Sequence, residues 1–218
     1  MDRLSNANAA STLLSSRDRG WTGLEAEFLH IQAGRTHVPG SRTHRLGIHF
    51  GRAVNAHCQC DGRHYRRQQK HGDIDVVPAG LDGWWEDDRD CTILRLNIRP
   101  ELLNAAAREL GRDPETVSLA PKFQLRDPRI ESIAWAIKAE IEAIIPSDRT
   151  YADMLGMALA IRLVESDGHV CSHKKQSGAL DPARQDISMD RHAEGGAKQW
   201  FQMRYTEPCD RGEIGKRQ

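Results

Sequence analysis

Neither sign of charge predominates: 31 Lys and Arg stand against 31 Asp and Glu, which excludes a global basic field drawing the whole chain onto nucleic acid or an anionic membrane. Long apolar runs are missing as well. Nothing approaches the roughly 20 consecutive apolar residues that span a bilayer, and the start MDRLSNANAASTLLSSRDRG lacks the apolar stretch of a secretory leader. A cytoplasmic location is expected. Five cysteines, an odd number scattered over 218 residues, suit reduced thiols rather than a disulfide framework. Gly-rich phosphate cradles, the local signature of a catalytic triad and internal repeats are all absent. What is present, 39% apolar and 28% charged residues, suffices for one sizeable domain, with or without an appendage.

The stretch Gly72-Asp73-Ile74-Asp75-Val76-Val77-Pro78-Ala79-Gly80 anchors the reading. Ile74 and Val76 alternate with Asp73 and Asp75, the period of a half-buried strand, and Pro78 with Gly80 ends it. Similar alternation runs from Leu24 through Ala26 and Phe28 to Ile31, through Leu46, Ile48 and Phe50, through Val54, Ala56, Cys58 and Cys60, and through Thr92, Leu94, Leu96 and Ile98. Asp61-Gly62 reads as a hairpin turn into the charged stretch His64 to Arg67, expected as an edge strand. Six or seven short strands at such spacing predict an antiparallel sandwich or small barrel. Residues 1–20, rich in Ser, Asn, Ala and Arg, read as a flexible arm.

At Arg99-Pro100 the period switches from two to between three and four. Pro100 and Gly111 bracket a short helix, and Asp127-Pro128 opens a second one carrying Ile130, Ile133, Ala134, Ile137, Ile141 and Ile144. A third helix over 149–165 shows two stripes: Tyr151, Leu155, Ala158, and Met154, Met157, Ile161, Val164. The second stripe has a coiled-coil-like spacing and is expected to form a homodimer seam. After Glu165 only five Leu, Ile, Val or Phe remain, so 166–218 is expected to be a disordered or degenerate tail. The fold class is therefore α+β: an N-terminal antiparallel β-barrel or sandwich followed by three helices over 21–165, then the tail.

With strands first, helices next, and the phrases GDIDVVPAG, WWEDD, APKFQLRDPRIE and YADMLGMALAIRLVE in that order, the region 20–165 resembles the N-terminal half of an AraC-type bacterial transcriptional regulator. The likeness extends weakly to the linker-like run from Ser177 to Arg184. The resemblance implies a cupin-like β-barrel that binds a small-molecule effector, helices that form a homodimer, and DNA contacted through a C-terminal pair of helix-turn-helix motifs. Only 34 residues follow Arg184, without the apolar period of recognition helices, so this chain is expected not to bind its operator by itself. Neither membrane nor cofactor is expected. The effector-binding residues expected are Trp84, Trp85, Phe50, Cys58 and Trp21, with Ile74, Val76 and Leu94 also lining the barrel by parity.

A stand-alone cupin enzyme or metal-binding module is the alternative. Gly51 plus five residues reaches His57, as in a first cupin motif, but Gln59 occupies the second histidine's place, and Gly83 stands where the later motif would put a metal-binding histidine. One matched ligand does not make a catalytic metal site. His57, Cys58, Cys60, His64 and His71 could be weighed as zinc ligands, yet their spacing matches no recognised site. Their plain reading is two small buried thiols among solvated histidines. No catalytic residue and no metal ligand is assigned.

Overall fold

Ten antiparallel strands and three helices make up the described part of the chain, residues 10–167 of a computed structural model. The strands are β1 (Ala10–Ser15), β2 (Leu24–Ile31), β3 (Gly34–Val38), β4 (His44–Phe50), β5 (Val54–Cys60), β6 (Arg63–Gln69), β7 (Ile74–Val77), β8 (Gly83–Asp87), β9 (Cys91–Ile98) and β10 (Lys122–Leu125). The helices are α1 (Pro100–Glu109), α2 (Pro128–Glu142) and α3 (Arg149–Asp167). One sheet has the order β1-β2-β9-β4-β7-β10, the other β3-β8-β5-β6. From β2 to β9 the chain crosses between sheets so that β2-β9-β4-β7 faces β3-β8-β5-β6, the double-sheet jelly roll to which cupins belong. β1 and β10 extend the first sheet at either edge. The cupin-like strands followed by three helices are thus as expected, arranged as two sheets rather than one closed barrel.

The helices cover one face of the six-stranded sheet. Leu46, Ile48, Ile74, Leu94, Leu96 and Ile98 meet Ile130, Ile137, Leu159 and Leu163 there, all essentially inaccessible, and each such side chain contributes about 1.5–3 kcal/mol of burial. Asp127 caps α2, accepting from the backbone N–H of Arg129 at 3.0 Å and Ile130 at 3.2 Å, with Pro128 at the first helical position. The same carboxylate takes Arg162 Nε of α3 at 2.8 Å. One side chain thereby fixes the start of α2 and ties it to α3.

Several expectations need correction. Residues 10–19 are not a free arm: β1 pairs with β2, and Ser16 Oγ accepts the buried Ala26 N–H at 2.8 Å. β3, β8 and β10 are strands whose sequences carry no clear alternation. α2 stops at Glu142, leaving Ile144 and Ile145 exposed. The face that α3 buries is Ala152, Gly156, Leu159, Ala160, Leu163 and Val164, which coincides with neither expected stripe. Small residues decide it, because a Cβ at Gly156 would already lie 3.4–3.5 Å from Leu24 and Leu102. Val164, expected in a dimer seam, is buried within its own chain. The Asp61-Gly62 hairpin, with φ of 52° and 68°, and the edge position of β6 are as expected. Among the described residues no helix is long and apolar enough to cross a membrane. Of the tail expected over 166–218, Ser166 and Asp167 belong to α3; the rest, including the linker-like run, lies outside the described residues.

Candidate functional site

Because side chains alternate along a strand, sending Leu46, Ile48, Leu94 and Leu96 to the helices sends Arg45, Gly47, His49, Ile93 and Arg95 into the space between the sheets. The alternation expected from sequence is real, but its direction is reversed. Ile74, Val76, Leu94 and Phe50, expected to line the barrel, pack on the helix side. Phe50 stacks edge-on with Phe28, His71 and Trp135 at centroid distances of 5.6, 5.3 and 4.7 Å. Three amphipathic helices demand an apolar sheet face, and that demand takes precedence over filling the lumen.

The lumen holds a cavity of about 130 Å3. Its apolar wall includes Ile31, Val38, Val77, Trp85, Cys91 and Ile93; its polar wall is Arg45, Gln69, Asp75, Asp87 and Arg95. Gly47, the lumen-facing position between Arg45 and His49, is cross-strand from Arg95, and a Cβ added there would meet no atom within 4 Å. The missing side chain is part of the space. Trp85 enters the lumen because Gly83 yields to it: a Cβ at Gly83 would sit 2.5 Å from the Gln59 carbonyl oxygen and 2.7–2.8 Å from the Trp85 ring.

The charges are disposed unequally. Arg67 pairs with Asp75, and its second amino group donates to Cys58 Sγ at 3.1 Å. Burial raises the Asp75 carboxyl above its ordinary value against the pull of Arg67 and the Gln124 backbone N–H. Burial also raises Asp87, with Arg67 and His49 opposing and Asp75 adding to it. Cys91 Sγ donates to Asp87 at 3.8 Å, and burial together with that carboxylate pushes the thiol up to about 12. Arg45, 9% exposed, donates to the carbonyls of Pro39 at 3.1 Å and Leu81 at 2.8 Å. Burial lowers both Arg45 and Arg95, and Arg45 is lowered further by Arg95 itself. His49 Nε2 lies 2.8 Å from the Arg52 carbonyl oxygen, which can only accept. Nε2 is therefore the donor, and Nδ1 is buried and without a hydrogen-bond partner among the described residues.

Of the five effector residues expected, Trp85 lines the cavity and Cys58 lies buried on the same sheet face. Trp84 points outward, with His37 at 4.9 Å and the Arg35 guanidinium at 4.7 Å from its ring. Trp21 borders a separate groove with Ser16, Thr43 and Arg99. Sequence reasoning missed Arg45, Gly47, Asp87 and Arg95. The signal was available: these residues occupy the polar positions of the same alternating strands, and helices following a sandwich need its apolar face.

The ligand set of a cupin metal does not fit here. His57 is exposed on the outer side of β5, whose alternate residues Val54, Ala56, Cys58 and Cys60 are the buried ones, and Gln59 shares that outer side. His64 is exposed on β6, away from the buried thiols. Among the described residues no three His, Cys, Asp or Glu are placed to hold a metal ion.

No family model matches the chain, and no curated protein matches it significantly. Solved structures do. A cupin-like protein from Thermotoga maritima aligns at 16% identity over 45% of this chain and 80% of its own, with a TM-score of 0.35. The cupin domain of Cnp3 from Schizosaccharomyces pombe aligns at 12% over 49% and 74%, with a TM-score of 0.35. HEPD from Streptomyces albus, solved with 2-hydroxyethylphosphonate and Fe(II), aligns at 17% over 51% and 26%, with a TM-score of 0.38. At these scores the chain's own strand order, not the alignments, carries the fold assignment.

Proposed function

We propose that this chain is the effector-binding and dimerising part of an AraC-type transcriptional regulator, with a small molecule held between the two sheets. The observation that supports it is the lumen cavity, walled by apolar side chains with a few convergent polar groups, the ordinary composition of a small-ligand site. The role is binding rather than catalysis. The thiol nearest the cavity is held neutral beside a carboxylate, the opposite of what a nucleophile needs. The dimer face on this reading is the outer side of α3, where Tyr151 and Met154 are 48% and 64% exposed and Met157 and Ile161 half-buried beside them. DNA is contacted through the family's C-terminal domain and not by this chain alone.

A screen of small metabolites against the full chain, read by melting temperature and intrinsic fluorescence, tests the binding role. A ligand that binds only the folded state raises the melting temperature by mass action. Gly47→Val fills the lumen and is expected to abolish the response; a response surviving that substitution places the ligand elsewhere. Met154→Asp puts a charge on the outer α3 face, and sedimentation is expected to show monomers. A parent chain already monomeric at tens of micromolar removes the dimer from the reading.

A further inference from the structure

The effector reading leaves the ligand's chemistry open, and the lumen narrows it. Of its acidic lining residues, Asp75 is paired with Arg67 behind the wall, so those two charges offset each other. Asp87 has the Cys91 thiol as its hydrogen-bond partner. Arg45 is held by two backbone carbonyls, which orient the guanidinium without neutralising it. Arg95 has no hydrogen-bond partner among the described residues, and the only carboxylate supporting it is Glu27, directly cross-strand on β2 and shared with Arg17 at 3.9 Å. Two guanidiniums therefore border a cavity that is also lined by Ile93, Val77 and Ile31 of their own sheet and by Trp85 of the facing one.

Resting on the proposed effector role, we infer that the lumen takes a small monocarboxylate with an aromatic or branched aliphatic body, its carboxylate on Arg95 beside Arg45 and its body against Trp85 and Ile93. Guanidinium stays charged at any physiological pH and presents paired donors to a planar carboxylate. A carboxylate supplies the acceptors that Arg95 lacks. Gly47 lies across the ladder from Arg95 and leaves room for them. The size is consistent as well. A dry apolar cavity of about 150 Å3 accepts a benzene ring, and this one, near 130 Å3, suits a single ring or a short branched chain. A sugar, needing many hydrogen bonds around its whole surface, finds too few partners along the apolar wall.

The test compares benzoate, phenylacetate and 3-methylbutanoate with their primary amides, which keep shape and lose charge. The full chain is titrated by calorimetry and tryptophan fluorescence, alongside Arg95→Gln, Arg95→Lys and Gly47→Val. At least one acid is expected to bind about 10- to 100-fold more tightly than its amide, the range expected of a charge-assisted hydrogen bond. Arg95→Gln is expected to erase that preference without changing amide affinity. Arg95→Lys is expected to keep the preference, and it serves as the readout should the glutamine variant fail to fold. Amides matching acids in the parent, or acids undiminished by Arg95→Gln, overturn the assignment, as does the absence of acid binding at about 10 mM, a ceiling far weaker than effector affinities. The two readings fail differently. Neutral compounds that bind and are expelled by Gly47→Val leave the lumen as the effector site and refute only the carboxylate. Binding that ignores Gly47→Val refutes both.

Discussion

The two faces of the six-stranded sheet are made from the same strands, yet they do opposite work. On the helix side, Leu46, Ile48, Leu94 and Leu96 are 0–1% exposed and pack in the apolar core. On the lumen side, the residues between them are Arg45, Gly47, His49, Ile93 and Arg95, which border charge and empty space. A strand's alternation states which residues share a face but not which side that face turns to, since a one-residue shift exchanges the two sets. The helix side supplies stability and the lumen side is free to be specific.

The comparison breaks most visibly under truncation. Leu96→Ala is expected to cost about 2–5 kcal/mol, the usual range for a leucine deleted from a close-packed core. Ile93→Ala, two residues from Arg95 on the same lumen face and already beside a cavity, is expected to cost only about 1–2 kcal/mol, because little new void is created and the side chain is not fully buried. Urea denaturation of the two variants measures both. Equal losses mean that the lumen is packed as tightly as the helix side.

Asp127 sharpens the same contrast with charge. Burial alone would raise its carboxyl, but hydrogen bonds from Arg162 and from the N–H groups of Ile130 and Arg129 hold it below the ordinary value. A carboxylate with a depressed folded pKa contributes stability that is present above the unfolded value and lost as pH falls through the folded one. Asp127→Ala is expected to cost about 1–2 kcal/mol at neutral pH, as for other lost caps, and less in acid. On the lumen side the sign is reversed. Asp75 and Asp87 are raised mainly by burial, so their contributions become more favourable as pH falls from neutral toward the unfolded carboxylate range. Melting temperature followed from neutral to acid pH in the parent, Asp127→Ala and Asp87→Asn separates the two slopes.

A smaller effect, kinetic rather than energetic, concerns Cys91. Burial and Asp87 hold its thiol neutral to about 12, and the thiolate is the reactive form. Peptide mapping after iodoacetamide at pH 8 is expected to show Cys91 modified at least about 100-fold more slowly than a model thiol, which has an ordinary thiolate fraction. In Asp87→Asn the gap narrows. Labelling as fast as the free thiol would mean that the lumen is open to water around Cys91.

Much of this was legible beforehand, for definite reasons. The pattern of β2, β4, β5 and β9 follows from strict alternation, and the starts of α1 and α2 from Pro100 and from Asp127-Pro128, each a local signal with a local cause. β1, β3, β8 and β10 were not legible. Gly34-Arg35-Thr36-His37-Val38 and Gly83-Trp84-Trp85-Glu86-Asp87 have no alternation of their own and become strands because neighbours in the jelly roll complete their hydrogen bonds. The candidate site suffered most, since it depends on which face turns inward. That choice rests on the three helices, which lie far along the chain from β2 and β4, and on the small residues at Ala152, Gly156 and Ala160 that let α3 settle onto the sheet.

The smallest expected effect separates two adjacent tryptophans that sequence alone treats alike. Trp85 faces Cys58 across the β5–β8 ladder and lines the cavity, whereas Trp84 faces outward toward His37 and Arg35. Trp84→Ala removes an exposed-side stack and a cation–π contact, worth about 0.5–1 kcal/mol at such a site. It is expected to leave ligand response intact and to remove an emission component accessible to iodide. Trp85→Ala is expected to do the reverse, enlarging the cavity, removing a component shielded from iodide and weakening any lumen ligand. Iodide quenching of the two single variants with and without ligand measures the difference. Loss of ligand response on Trp84→Ala with Trp85→Ala silent would turn β8 over and put the binding surface on the outside of the four-stranded sheet.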